Sequence, residues 1–152
     1  MAIMNTELDT LLPFMLNKII KVLNSDLDRA LQEHGLSVAE WRILATLGFT
    51  TIDRPAAIAQ FTTIDPSTLS RAFDRLEAQG YVERSKPKGS RRGFEFSLTP
   101  SGDRALKRAA KIVRKQHDHL LSLLAEDQIK PFLRSVSAVY QAMGRPPELH
   151  QD

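Results

Sequence analysis

The segment Asp65-Pro-Ser-Thr-Leu-Ser-Arg-Ala-Phe-Asp-Arg-Leu-Glu-Ala-Gln-Gly80 decides the fold of this chain. Asp65 suits a helix cap and Pro66 the first helical position, where no backbone donor is required. A step of about 100° per residue gathers the apolar side chains on one face; they are Leu69, Phe73 and Leu76. The exposed remainder carries hydroxyl and guanidinium groups, from Ser67, Thr68, Ser70, Arg71 and Arg75. These groups suit contact with DNA bases and phosphates, so we call this segment the candidate recognition helix.

A basic β-hairpin is predicted directly after this helix. Residues Phe94, Phe96 and Leu98 alternate with polar ones, which is the period of a strand, and residues 81–85 supply the partner. Pro87-Lys-Gly89 is the turn signal between the two strands. Five bases and no acid lie between residues 84 and 92, and we expect four of them to contact DNA: Lys86, Lys88, Arg91 and Arg92. A basic hairpin tip of this kind can enter a minor groove.

Two helices and one short helix are predicted before the recognition helix. Apolar residues from Leu8 to Leu31 recur at helical spacing, with Thr10 as the expected cap and Gly35 as the stop. A second helix opens at Ser37, which forms a capping box with Glu40, and ends before Gly48. Asp53 is the expected cap of the short helix over residues 55–61.

Two long helices are predicted after the hairpin. Thr99 and Pro100 begin a fifth helix whose apolar stripe continues to Leu124. A sixth helix carries apolar residues from Ile129 to Met143 and ends at Gly144, with the acids Glu126 and Asp127 at a natural helix start. Residues 104–115 contain six bases and no acid. A solvated helix face explains these bases as well as contact with the DNA backbone does, so we leave them out of the candidate site. Three long amphipathic helices exceed what one small lobe can cover, which predicts a partner subunit.

Composition and motifs narrow the functional classes. The 152 residues are 42% hydrophobic, which is enough for a core. The formal net charge of +3 is too small to indicate a polyanionic partner by itself, so the positions of the basic residues matter more. There is no cysteine, which excludes disulfides and thiolate metal sites, and we see no signal peptide or membrane span, so we expect a cytoplasmic protein. No phosphate loop, nucleophile elbow or His-Glu-x-x-His motif occurs, so neither catalysis nor a cofactor is expected.

Over residues 8–144 the order of these elements resembles the MarR family of bacterial winged helix-turn-helix regulators. Three pieces carry the resemblance: Ser67-Thr-Leu-Ser-Arg71, Arg75-Leu-Glu-Ala-Gln-Gly-Tyr-Val82 and Arg92-Gly-Phe-Glu-Phe-Ser-Leu-Thr99. The run Leu98-Thr99-Pro100-Ser101-Gly102 that opens the fifth helix fits as well. The resemblance implies a mainly α fold with a small β-hairpin wing, in which residues 37–99 form the DNA-binding region. Residues 1–36 and 100–146 would form the helical dimerisation region of a single intertwined domain.

The resemblance also implies a function. Such a homodimer binds an inverted-repeat operator in double-stranded DNA, most often as a repressor, and a small effector in the cleft between lobes changes their separation. For an anionic or phenolic effector the candidates are His34, Trp41 and Arg42, although core packing also explains Trp41. His117 and His119 lie on different sides of a helix, so a metal site there is not expected.

One position departs from the family pattern. The wing commonly carries an aspartate two residues before the arginine that aligns with Arg92, and here that position is Ser90. A serine offers no charge partner, so either Arg92 is freed for phosphate or the wing is more mobile. The same departure leaves open an alternative function, a winged-helix module that docks a protein and has lost DNA readout. The polar side chains of the recognition helix and the hairpin could also form an ordinary solvated surface with no binding role.

Overall fold

The computed structural model describes residues 10–86 and 93–144. In these two segments the chain forms six helices and one two-stranded antiparallel hairpin, which confirms the predicted fold class. The elements are α1 Leu12–Gln32, α2 Val38–Phe49, α3 Pro55–Thr62, α4 Pro66–Ala78, β1 Val82–Ser85, β2 Glu95–Leu98, α5 Pro100–Leu121 and α6 Glu126–Met143. None of the helices in these segments is long and apolar enough to cross a membrane.

The recognition helix α4 begins as its sequence predicts. Asp65 is the cap, its Oδ1 accepts a hydrogen bond from the Thr68 amide at 2.9 Å, and Pro66 takes the first position. The predicted apolar face, together with Ala72, is buried. The helix gives way to a turn at Gly80, whose φ of +68° is in the left-handed region that favours glycine. Local signals are therefore enough to define this helix.

The predicted capping box of α2 is confirmed, but its predicted end is wrong. The Glu40 amide donates to Ser37 Oγ at 3.2 Å, and Glu40 Oε2 accepts from the Ser37 amide at 2.7 Å. Gly48 lies inside the helix, which continues to Phe49. A Cβ on Gly48 would collide with the Leu106 side chain, so the glycine allows α5 to approach α2 closely. Tertiary packing thus overrides the usual stop signal of glycine.

Three other predicted helix boundaries were wrong. The first helix begins at Leu12 with Leu11 at the cap position, so Thr10 is not its cap, and Leu8 lies outside the described segments. Arg54, not Asp53, precedes α3. In both helices a proline in the first two positions starts the helix without a side-chain cap. The fifth helix ends at Leu121, before the end of its apolar stripe.

Asp53 has a different structural role. Its backbone carbonyl accepts a hydrogen bond from the Phe96 amide at 2.9 Å, which ties the loop before α3 to strand β2. Arg54 adds an ion pair to Glu95 of the same strand at 3.5 Å. Strand β2 is therefore held from both sides, by the loop before α3 and by strand β1.

The hairpin packs on the recognition helix through an aromatic stack. The strands pair with Val82 opposite Leu98 and Arg84 opposite Phe96. The ring of Phe96 stacks on that of Phe73 from α4, with centroids 3.9 Å apart and planes at 24°. Both residues are buried in the core. The predicted turn over residues 87–89 lies outside the described segments.

A close backbone approach joins the base of the hairpin to α5. The Tyr81 carbonyl accepts a hydrogen bond from the Thr99 amide at 3.1 Å, and Thr99 Oγ1 donates to the Gly80 carbonyl at 2.6 Å. The same Oγ1 accepts from the Gly102 amide at 3.0 Å, which confirms Thr99 as the cap of α5. A Cβ on Gly102 would overlap the Tyr81 carbonyl, so glycine is required there for this contact.

The core lies among α2, α3, α4, α5, the hairpin and the carboxyl-terminal half of α1. It includes Leu31, Ile43, Leu44, Ile58, Leu76 and Leu106. Helix α6, which ends before Gly144 as predicted, buries no residue. Its apolar stripe is exposed at Phe132, Leu133, Val136, Val139, Tyr140 and Met143, and α1 is exposed at Leu12, Phe14, Met15, Leu16, Ile19, Ile20 and Val22.

We expect Gly102→Ala to lower the free energy of unfolding by about 1–3 kcal/mol, the usual cost of forcing extra atoms into a packed site. Urea denaturation followed by circular dichroism measures the change. Ser101→Ala, one position earlier in the same helical turn, is the matched control and should stay within about 0.5 kcal/mol of the parent. Equal stability of the two variants would show that the contact with Tyr81 does not restrict this position.

Candidate DNA-binding surface

The outer face of the recognition helix presents the side chains that the sequence singled out. Ser67, Thr68, Ser70 and Arg71 are exposed on α4. Arg71 is held only loosely, because its Nε and Nη2 lie 3.4 Å from the carbonyl and the hydroxyl of Ser67. Its guanidinium fork can therefore reorient toward a base edge or a phosphate.

Arg75 is placed differently from Arg71. Its Nε lies 3.1 Å from Oε1 of Glu40, a fully buried carboxylate on the first turn of α2. The Arg75 side chain is nevertheless 65% exposed, so the rest of the guanidinium is open to solvent. Sequence reasoning predicted Arg75 as a DNA contact but missed its partner, because the capping box already explained Glu40.

The cap residue keeps a negative charge at the amino end of α4. Hydrogen bonds from the side chains of Thr68 and then Ser67, with the Thr68 amide, hold the pKa of Asp65 far below its ordinary range. The Ser67 hydroxyl donates to Asp65 Oδ1 at 2.7 Å. A carboxylate here stabilises the helix by its interaction with the helix dipole. It also fixes the Ser67 hydroxyl, one of the predicted contacts.

Strand β1 of the hairpin carries an arginine that the prediction left out of the site. The Arg84 guanidinium lies 4.7 Å from the Phe94 ring centroid and 5.3 Å from that of Phe96, and it pairs with Glu77 of α4 at 3.2 Å. Lys86, a predicted contact, lies 5.4 Å from the Phe94 centroid. The cross-strand position of Arg84 opposite Phe96 is the signal that could have identified it.

Part of the predicted wing cannot be placed. Lys88, Ser90, Arg91 and Arg92 lie outside the described segments, so their roles stay predictions.

The recognition helix, the hairpin and α3 together line a cavity of about 350 Å³. Ser70 and Asp74 line it from α4, and Arg84 and Phe94 line it from the hairpin. The Ser70 edge of the helix therefore faces the hairpin. The opposite edge, with Thr68, faces the amino end of α2.

The structure brings together two of the three predicted effector residues. Trp41 and Arg42 line one cavity of about 420 Å³ between α2 and α3, together with Phe49 and Phe61. Trp41 also packs against the core, and Arg42 donates from Nη2 to Asn24 Oδ1 at 3.2 Å. His34 is exposed in the turn after α1 and is not among the residues that line this cavity.

The six bases of α5 are all exposed. They are Arg104, Lys107, Arg108, Lys111, Arg114 and Lys115. Lys107 pairs with Asp103 at 2.6 Å. This face follows the hairpin directly along the chain, but no described contact links it to the recognition helix.

A capped helix with outward hydroxyls and arginines, packed beside a hairpin on a helical lobe, defines a winged helix-turn-helix protein. A model of the MarR family matches residues 34–93. The chain is 30% identical over 124 residues to the HTH-type transcriptional regulator PecS of Dickeya dadantii, with 80% of this chain and 74% of that protein covered. The chain therefore belongs to the MarR family of transcriptional regulators.

Solved structures agree with this assignment. The Mycobacterium tuberculosis MarR family protein Rv2887, in complex with salicylic acid, is 27% identical and superposes with a TM-score of 0.73, covering 86% of this chain and 97% of that one. A MarR family regulator from Silicibacter pomeroyi is 27% identical, with a TM-score of 0.74 and 95% of each chain covered. The fold and the family that the sequence resembled are thus confirmed.

Proposed function

We propose that the protein is a homodimeric repressor that binds an inverted-repeat operator in double-stranded DNA and responds to a small aromatic acid. The exposed hydroxyl and arginine face of α4, beside the hairpin, is the observation that carries this proposal. Its action requires no catalytic step and no cofactor, and it takes place in the cytoplasm, where the operator DNA is. The name of Rv2887, a transcriptional repressor 28% identical over 126 residues, supports the sign of regulation.

The two parts of the surface have different tasks. Helix α4 enters the major groove, where Ser67, Thr68, Ser70 and Arg71 meet bases and phosphates. The hairpin reaches the minor groove, and its bases bind the phosphate backbone; these are Lys86, Lys88, Arg91 and Arg92. Contacts of the first kind give specificity, whereas those of the second kind give affinity that depends on salt.

The apolar stripes of α1 and α6 form the dimer interface. Their residues are exposed in the single chain although they follow helical periodicity, which a second copy would cover. This supports the division into dimerisation segments 1–36 and 100–146 around the DNA-binding segment 37–99. Two lobes dock together only if the half-sites lie about one helical turn, roughly 34 Å, apart.

The cavity beside Trp41 is the proposed effector site. An aromatic ring can pack on Trp41 while the Arg42 guanidinium pairs with a carboxylate. The complex of Rv2887 with salicylic acid supports this class of ligand. His34 joins the site only if a partner subunit or a movement of α1 brings it closer.

Replacement of Arg71 tests the DNA-binding assignment. We expect Arg71→Ala to weaken binding to an operator mapped in the DNA that flanks the gene by roughly 1–3 kcal/mol and to relax its specificity. Arg91→Ala should weaken binding uniformly across sequences and lower the salt slope by about 1. Arg29→Ala, an exposed arginine on α1, is the control and should bind like the parent.

Binding of both variants like the parent throughout a salt titration would contradict the site assignment. A parent protein that does not discriminate this DNA from excess nonspecific competitor would favour the alternative, a winged-helix module that docks a protein.

A charge on the α6 stripe tests the dimer. We expect Val136→Asp to dissociate the protein in sedimentation equilibrium, because an unpaired carboxylate is costly in an apolar interface. Ser135→Asp adds the same charge one residue earlier, beside the stripe, and should leave the dimer intact. A parent that sediments as a monomer, or a Val136→Asp variant that stays dimeric, would overturn the proposed interface.

A thermal-shift assay with salicylic acid tests the effector site. A ligand that binds the folded state raises the melting temperature by mass action, so we expect a shift that grows with concentration. Arg42→Ala should remove most of this shift, because it removes the charge partner of the carboxylate. Arg29→Ala again serves as the control. No shift across a set of phenolic and aromatic acids would remove the reason to assign Trp41, Arg42 and His34.

A further inference from the structure

Glu40 is the most deeply buried charged side chain in the described residues, with no exposed area. Its Oε2 accepts from the Ser37 amide, but its Oε1 accepts no hydrogen bond from any described group. Arg75 Nε is close enough to Oε1, at 3.1 Å, for an ion pair. Because Oε1 has no hydrogen bond at that distance, the Nε–H is not aimed at this oxygen, and the two groups attract each other without a directed bond.

A buried carboxylate without a cation would be strongly destabilising, so Arg75 is its necessary counterion. This counterion is nonetheless 65% exposed and stands on the recognition helix. Nε faces inward to Glu40, and among residues 10–86 and 93–144 no other group bonds to the guanidinium. The terminal nitrogens therefore remain available on the outer surface while the inner edge is held.

The surroundings of the pair lie along one flank of α4. Thr68, Arg71 and Arg75 line a shallow cavity of about 350 Å³ together with Asp28 and Glu40. Arg71 is only loosely held there, by contacts to Ser67 at 3.4 Å. One arginine of this flank is thus tied to the core by charge, and its neighbour one turn earlier is not.

We propose that Glu40 is a positioning residue, whose charge keeps Arg75 beside the amino end of α2 so that the exposed terminal nitrogens lie where a DNA phosphate can bind. This inference rests on the proposed DNA-binding function. A guanidinium already confined beside a buried carboxylate loses less rotamer freedom when its exposed nitrogens bind an anion. Arg75 thereby sets the register of α4 on the backbone, and the loosely held Arg71 is left to adapt to bases.

Glu40→Gln separates positioning from helix capping. Glutamine can still accept from the Ser37 amide, since Ser-x-x-Gln also forms a capping box, but it gives Arg75 no charge to pair with. We expect operator binding to weaken by roughly 2- to 12-fold, the equivalent of fixing one side-chain rotamer. In an Arg75→Ala background the same change should have no further effect. Fluorescence anisotropy with a labelled operator measures all four proteins.

The direction in which Glu40→Gln changes operator affinity distinguishes loss of positioning from a simple charge effect. Loss of a negative charge near DNA would by itself strengthen binding, whereas loss of positioning weakens it. The salt slope gives a second readout: Arg75→Ala should reduce it by about 0.9, the value for one phosphate contact, while Glu40→Gln should leave it unchanged. Unchanged or tighter operator binding by Glu40→Gln would overturn the proposal.

Ser37→Ala is the matched control. It removes the cap hydroxyl from the same helical turn but keeps the Glu40 carboxylate, so it should lower the melting temperature without changing DNA affinity measured well below that temperature. If Ser37→Ala weakens DNA binding as much as Glu40→Gln, or if Glu40→Gln acts equally with and without Arg75, Glu40 serves only to hold α2 in place.

Arg75→Lys gives a test at an exposed position should Glu40→Gln fail to fold. Lysine keeps the charge but is a single point donor that cannot hold Glu40 with one edge and a phosphate with another. We expect it to weaken binding within the same 2- to 12-fold range. Parent-like affinity of Arg75→Lys would overturn the proposal. If the parent protein itself binds no flanking DNA, the proposed regulator function is wrong. If the parent binds and the variants bind equally well, only the positioning role of Glu40 is wrong.

Discussion

The stack between Phe73 and Phe96 is the contact on which the DNA-binding lobe depends. It joins the buried face of the recognition helix to the inner face of strand β2, 23 residues further along the chain. Around it, the carbonyl of Asp53 pairs with the Phe96 amide, and Arg84 lies over the Phe96 ring. Since the helix and the hairpin share this one aromatic centre, neither can change its tilt without disturbing the other. The two elements proposed to enter different grooves are therefore packed together through a shared part of the core.

The polar residues around these two elements are divided between fixed and adaptable ones. Glu77 and the aromatic rings hold Arg84 on strand β1, and the charge of Glu40 keeps Arg75 at the flank of α4. Arg71 has only long contacts within its own helix. A recognition surface needs both kinds, because fixed cations set the position on the backbone and mobile ones adjust to base edges. Two acidic residues, Glu40 and Glu77, thus help to place the arginines of this surface.

Helix starts with local chemical signals were predictable from sequence, whereas features decided by distant contacts were not. Ser37 with Glu40, Asp65 with Pro66, and Thr99 with Pro100 each define a start within four residues. Gly48 and Asp53 were misread because Leu106 and Phe96, far along the chain, determine their roles. The outer face of α4 followed from periodicity, but the Arg75 partner, 35 residues earlier, could not.

The close contact between Tyr81 and Gly102 gives α5 a mechanical meaning. With 22 residues this helix is about 33 Å long, and its first turn is clamped to the base of the hairpin without an intervening side chain. A rod of that length that tilts by about 3° moves one end by roughly 2 Å relative to the other. A tilt of α5 would therefore move the base of the hairpin, because the hairpin contacts the first turn of this helix. Near its far end Leu120 lines a cavity with Ile19 and Val22 of α1, so a shift of α1 against α5 there would also displace the base of the hairpin.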